Sequence, residues 1–476
     1  MQIEGGRVIY NSATVALGTG VFCSLVLSLI GYYLISNSFR RDILSRTGLV
    51  IAATPVTNAR YVVGKFFGNA LYLGAIIMGC MLSAMVMFLI RGETAIQPLV
   101  FLTTFVWILI PTAGFCAAIA LVFESVPALS GRAGDVIYFF LWAGLLAVPI
   151  ALFENGVRLF WIHGLDIVGL VPVLEQLQSR FHTTSMSIGS TSYDASRPAV
   201  LFSGIEWSWR IIGERFLTIV LPAGLLAVAA QSFHRFNPAK IKLSARHSKR
   251  NLMGWLNALL KPVTRHLQRL VPAGGRGASM VNSIRADVLA TLALSPLTTL
   301  AMLIIAVLSI SLDVRSVREG VVPVIVVALV MGLADCATRD SSGGMMNLLF
   351  TAPGLKRNYV FWKLASALAL TFCFTLIPII RMWSDLPSSG VSLLIGSFFL
   401  ASAAVGLGIL ARSQKAFIAL ILMILYISLS AANEPALDFA GIHANATGAV
   451  QVWYGVLSVG LVLAGAARHA VRARRG

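Results

Sequence analysis

Residues 41–65 read RDILSRTGLVIAATPVTNARYVVGK, and residues 339–363 read RDSSGGMMNLLFTAPGLKRNYVFWK. Displaced by a constant 298 positions, Arg41 meets Arg339, Asp42 meets Asp340 and Pro55 meets Pro353. Tyr61 meets Tyr359 and Lys65 meets Lys363 at the same displacement, while Arg60 and Arg357 stand just before the two tyrosines. Each copy follows one apolar run and precedes another. Self-similarity at a fixed spacing decides the architecture before any single residue does, and here it predicts two related halves.

The runs on either side set the fold class. Hydrophobic residues make up 57% of the chain and charged residues 12%, about half the charge of a soluble domain. Apolar stretches of about 20 residues recur, each long enough to cross a bilayer as a helix. Their uniform hydropathy excludes the alternating strands of a membrane barrel, and lipid leaves only these two spanning structures. The chain is therefore expected to be all-α, a polytopic helical membrane protein. About eleven spans are expected, near 13–36, 66–89, 98–123, 136–153 and 211–233 in the first half. Those of the second half are near 296–312, 321–336, 364–380, 391–410, 416–429 and 449–466. The first half is 1–233, the basic stretch 234–282 links the halves, and 283–476 is the second half. At the displacement of the repeat, the helix at 296–312 has no counterpart within the first half, which is expected to have one span fewer. Either that helix lies upstream of Met1 or it is absent.

A net charge of +18 does not imply nucleic acid, because no basic groove with interleaved aromatics lies outside the apolar runs. Lys and Arg instead collect in cytoplasmic loops. Both repeat copies, the linker and the C-terminal arginines carry that excess, so these are expected in the cytoplasm and 154–210 outside, with the N-terminus also outside. The linker, with Met253, Trp255 and Leu256 among basic residues, reads as an amphipathic surface helix. Residues 159–173 are too short to cross and read as flat or re-entrant. The five cysteines lie in or beside apolar runs without metal-ligand spacing, and read as small buried hydrophobes.

No site of chemistry is evident. The repeat carries no Ser–His–Asp or Cys–His grouping, and none of the seven histidines lies at the centre of a span. Glu124, Glu214 and Asp335 sit at span ends, where charge can reach water or mark a function. Glu154 and Asp166 border the external segment and could line an exit path. Pro111, Pro149, Pro222 and Pro378 read as tolerated kinks. For the repeat itself two readings stay open. One is a solvated loop anchored at the lipid boundary by Tyr and Lys. The other is a surface helix, ended by Pro, on which a partner docks in a register set by Arg and Asp.

The pattern of a basic residue and Asp, a dozen residues, Pro, then Tyr and Lys entering a span resembles permease subunits of ABC-2-type exporters. In that family a coupling helix lies on the cytoplasmic side between the second and third spans of a six-span unit. Ser283-Ile284-Arg285-Ala286-Asp287, running into Ser295-Pro296, resembles the interface helix before the family's first span. The resemblance covers most of the chain and implies two fused permease units moving a hydrophobic or amphipathic cargo (peptide, drug or lipid) across a bacterial inner membrane. It implies an ATPase-coupling role for Arg41, Asp42, Pro55, Arg60, Tyr61 and Lys65, and for Arg339, Asp340, Pro353, Arg357, Tyr359 and Lys363. The P-loop GxxxxGK[ST] is absent from the chain, so two copies of a separate ATP-binding subunit are expected to bring the ATP and Mg. The competing functions are an ion-coupled secondary transporter, which wants paired acids at mid-membrane in broken helices, and a membrane-embedded enzyme, which wants His or acidic clusters at the lipid boundary.

Overall fold

The computed structural model describes residues 2–3, 6–126, 129, 131–157, 161–181, 186–187, 199–232, 280–294, 296–346, 351 and 355–475. Most of the basic stretch 234–282, most of the polar loop 182–197 and Pro353 lie outside these residues. The chain divides into two compact units, Met1–Arg246 and His247–Gly476. Three two-residue strands, β1 (Gln2–Ile3), β2 (Gly6–Arg7) and β3 (Met186–Ser187), pair antiparallel in the order β2-β1-β3. All other described elements are helical.

The first unit contains α1 (Ser12–Ile35), α2 (Ser38–Leu44), α3 (Thr47–Ala52), α4 (Asn58–Arg91), α5 (Pro98–Ser125), α6 (Arg132–Glu154), α7 (Ile162–Leu165), α8 (Leu170–Phe181) and α9 (Trp209–Ser232). Helix starts follow from caps. Asn11 Oδ1 accepts from Thr14 N at 2.8 Å to open α1, and Thr57 accepts from Arg60 N to open α4. Helix α5 is the most enclosed span of the unit. Its buried Ala113, Gly114, Ala117, Ala118 and Ala120 let neighbouring backbones come close, as small residues do between helices in lipid. Helices α1, α4 and α9 all pack on it.

Where segment 159–173 is described, it re-enters. Ser24 of α1 donates to Val168 O at 3.0 Å, and Thr112 of α5 donates to Ile167 O at 2.7 Å. Both partners lie near the middle of their helices, so the turn between α7 and α8 reaches the interior of the unit. Asp166 caps that turn, accepting from Gly169 N and Val171 N at 2.8 Å each, which gives this buried carboxylate a structural role. Pro111 has no N–H to give Trp107 O, and Arg215 of α9 donates Nε to that carbonyl at 3.2 Å. Its other nitrogens donate to Ile108 O at 2.9 Å and Asp166 O at 2.6 Å. A fully buried guanidinium thus ties the re-entrant turn to a proline-opened span.

The second unit contains α10 (Met280–Leu294), α11 (Pro296–Ser311), α12 (Val314–Leu333, with a π-helical turn at Val317–Val321), α13 (Arg339–Ser342), α14 (Leu355–Asp385), α15 (Pro387–Ala411), α16 (Gln414–Ser430) and α17 (Gly448–Arg475). Here α15 is the enclosed span, with Ala401, Ser402, Ala403, Ala404, Gly406 and Gly408 buried along it. Helices α14, α16 and α17 pack against it. Helix α17 comes close at Gly406, where a Cβ would stand 2.6 Å from Leu461 O.

Among the described residues, nine helices are long and apolar enough to cross a membrane. Helices α10 and α11, each falling short alone, form a tenth if the pair is one span; they bend by 92° at their junction. Helix α16 is apolar but has only 17 residues. All eleven expected stretches are helical, and the count of crossings depends on these two. The five cysteines are free; Cys116 and Cys336 are buried, whereas Cys373 faces outward from α14, contrary to the expectation that all five are interior.

Candidate functional site: a repeated elbow

Where both are described, the two copies of the repeat bring the same Asp, Tyr and Lys together. In the first, the chain leaves α1 through Asn37, whose φ of 79° suits an amide side chain in the left-handed region, and enters the short helix α2. The exposed amides at the start of α2 are not capped by Asn37. Glu124, at the end of α5, accepts from Ser38 N at 2.9 Å and Phe39 N at 2.8 Å, a carboxylate at a helix N-terminus where charge and dipole agree. This gives Glu124 a structural role that its position at a span end could not specify. A second left-handed residue, Arg46 with φ 60°, separates α2 from α3. The surface segment is therefore two short helices, and α3 ends before the exposed Pro55.

Tyr61 and Lys65 stand four residues apart on the opening turns of α4, on one face of the helix. Both turn back to Asp42 of α2. The Tyr61 hydroxyl donates to Asp42 Oδ2 at 2.5 Å and Lys65 Nζ lies 2.7 Å from the same oxygen. The ammonium also sits 5.7 Å from the Tyr61 ring centroid. Beneath them Phe39, Val62 and Leu121 form a buried apolar cluster, with Leu226 and Ala230 of α9 against it.

The second copy repeats the constellation 298 positions on. Tyr359 donates to Asp340 Oδ2 at 3.2 Å and Lys363 Nζ lies 2.9 Å from that oxygen, 5.9 Å from the Tyr359 ring centroid. This copy is more deeply built. Lys363 is 1% exposed, takes a second carboxylate from Asp287 of α10 at 3.1 Å and stands 4.2 Å over the Trp362 ring. Arg339 lies 3.2 Å from Asp335 and 3.6 Å from Asp287, and donates to Thr291 at 3.0 Å. Burial opposes the charge on Arg339, but the carboxylates of Asp335 and Asp287 outweigh it and hold the guanidinium above its ordinary value.

These positions differ from two expectations. The polar ends of Tyr61, Lys65, Tyr359 and Lys363 go to carboxylates of the same chain and not outward to headgroups. Asp42, Asp340 and Arg339 are likewise turned inward. What faces outward in the first elbow is Arg41, Arg46, Leu49, Val50, Pro55 and Arg60; in the second it includes Ser341, Met345 and Arg357. Asp287, which completes the second site, belongs to the segment 283–287 that the sequence marks out, but its pairing with Lys363 spans 76 residues and has no local signal.

The described residues also bring together His163, Glu175 and Glu214, a cluster of the kind absent from the linear sequence. Compared with known proteins, the chain matches no family model, no curated protein and no solved structure.

Proposed function

We propose that the chain is the membrane-spanning permease subunit of an ATP-driven exporter of the ABC-2 type, moving a hydrophobic or amphipathic cargo. Two copies of a separate ATP-binding subunit supply ATP and Mg. The observation that supports this reading is the carboxylate–tyrosine–lysine elbow, present twice at one spacing and each time between two spans. Two like partner subunits need two like docking surfaces on a chain whose halves otherwise differ.

In this reading the elbow has an outer and an inner part. Arg41, Arg46, Leu49, Val50 and Arg60 offer the mixture of guanidinium and apolar surface favoured at the core of interfaces. Asp42, held by Tyr61 and Lys65, makes α2 and the first turns of α4 move as one piece, so displacement of the docked surface reaches the span. Asp340, Tyr359 and Lys363 do the same for α14. Pro55 follows the end of the surface segment before the span begins.

The test separates the two parts. Leu49→Glu with Arg60→Glu should leave the chain in the membrane but abolish copurification of its ATPase. Asp42→Asn should retain the ATPase while transport falls by about tenfold or more, the loss expected when about 1.4 kcal/mol of coupling is removed. If the first variant holds its ATPase and transports like the parent, the elbow is not the docking surface.

A further inference from the structure

At the end of the first unit away from the elbow, three side chains from separate elements converge: His163 of α7, Glu175 of α8 and Glu214 of α9. One nitrogen or oxygen of each lies within 4.8 Å of the others. His163 is 7% exposed and Glu214 3%. Twelve residues separate Glu214 from Leu226, about 18 Å of helix rise, which places the cluster well clear of the Phe39–Val62 side of α9.

The arrangement leaves two buried atoms unsatisfied. His163 Nδ1 and Glu214 Oε2 have no hydrogen-bond partner among the described residues. They face each other at 3.7 Å, too far for a hydrogen bond. Buried polar atoms in a native fold are nearly always paired, and an unpaired carboxylate oxygen is the costliest kind to leave. The other oxygen of Glu214 is occupied, accepting from Arg210 Nε at 2.8 Å. Glu175 Oε1 lies 3.9 Å from His163 Nε2. Thr218 Oγ1 donates to the His163 carbonyl at 3.1 Å, fixing the backbone that carries the ring.

We propose that His163, Glu175 and Glu214 hold a divalent transition-metal ion of the zinc class. Two ligands of a tetrahedral zinc, each at about 2.0–2.2 Å, stand about 3.4 Å apart. The 3.7 Å gap between Nδ1 and Oε2 closes to that value with a small side-chain shift, and a shared cation satisfies both orphan atoms at once. Imidazole with two carboxylates suits zinc, whereas magnesium prefers oxygen alone. Three protein ligands leave a fourth position for water, as in open zinc sites. The ion would tie the re-entrant α7–α8 segment to α9.

The full chain, untagged and in detergent, is stripped with a chelator, exposed to zinc in the presence of excess magnesium, desalted and assayed for metal. About one zinc per chain is expected, and cobalt in its place should give the visible bands of a low-coordinate site. His163→Gln and Glu214→Gln should each lose the metal and the cobalt bands. Glu175→Gln, at a partly exposed position, keeps the test open if either buried variant fails to fold. Its affinity should fall by more than the roughly 10–100-fold that losing an outer-shell partner costs. Parent chain without zinc, magnesium bound equally well, or Glu175→Gln binding like the parent would each overturn the assignment.

Discussion

At the residue scale, the two lysines of the repeat occupy the same position in very different surroundings. Lys363 is enclosed between Asp287, Asp340 and the Trp362 ring, whereas a quarter of the Lys65 side chain remains exposed beside Asp42. Removing one partner of a buried pair strands the other charge and costs about 3–5 kcal/mol; an ion pair open to solvent is worth about 1 kcal/mol or less. Lys363→Met should therefore lower the thermal stability of the purified chain clearly, and Lys65→Met only slightly. Equal shifts in melting temperature for the two variants would show that burial does not set the difference. Tyr61→Phe and Tyr359→Phe, each losing one hydrogen bond to an ionised acceptor, should cost about 1.5–3 kcal/mol, measured in the same way.

At the element scale, each unit is assembled around one span rich in small residues. In lipid the hydrophobic effect does not draw helices together, and close packing must do so. One tight point is the crossing of α15 and α17 at Gly406, where a Cβ on the facing Gly465 would also stand 3.3 Å from Gly406 Cα. Gly406→Val should force the helices apart and destabilise the second unit by about 1–3 kcal/mol, the usual cost of overpacking. Gly455→Ala, on α17 where a Cβ meets nothing within 4 Å, should be silent. Limited proteolysis of both variants in detergent distinguishes the outcomes: a Gly406→Val chain as resistant as Gly455→Ala would mean that α17 is not held at this crossing. The re-entrant turn is an element of the same logic, since non-helical backbone at depth must have its carbonyls satisfied by protein. Ser24, Thr112 and Arg215 do so here.

At the scale of the whole molecule, nine spans among the described residues, with one bent pair and one short apolar helix besides, describe a multi-pass membrane protein. The orientation is a prediction from charge: the Lys and Arg excess of the repeats and C-terminus is expected to stay in the cytoplasm. Single cysteines introduced at Ser341, in the second elbow, and at Leu201, exposed in the segment before α9, give the check. A membrane-impermeant maleimide added to intact cells should label the Leu201→Cys chain and spare Ser341→Cys. The reverse pattern would invert the topology.

Hydropathy and length determined from sequence alone that the chain is helical and built of spans, because in a bilayer each helix satisfies its own backbone and needs no distant partner to be recognised. The constant 298-position displacement likewise marked the elbow, since Asp42, Tyr61 and Lys65 and their counterparts fall within one short stretch. Only the tertiary structure decided which way those side chains point. Their inward turn depends on carboxylates and packing brought by the placement of α2 against α4 in the first unit and of α10 against α14 in the second, and no local pattern encodes that. The same holds for Glu124 capping α2, for Arg215 answering the carbonyl that Pro111 frees, and for the meeting of His163, Glu175 and Glu214. Each joins residues from separate elements, and a contact between elements is a property of how helices pack, which a linear spacing does not carry.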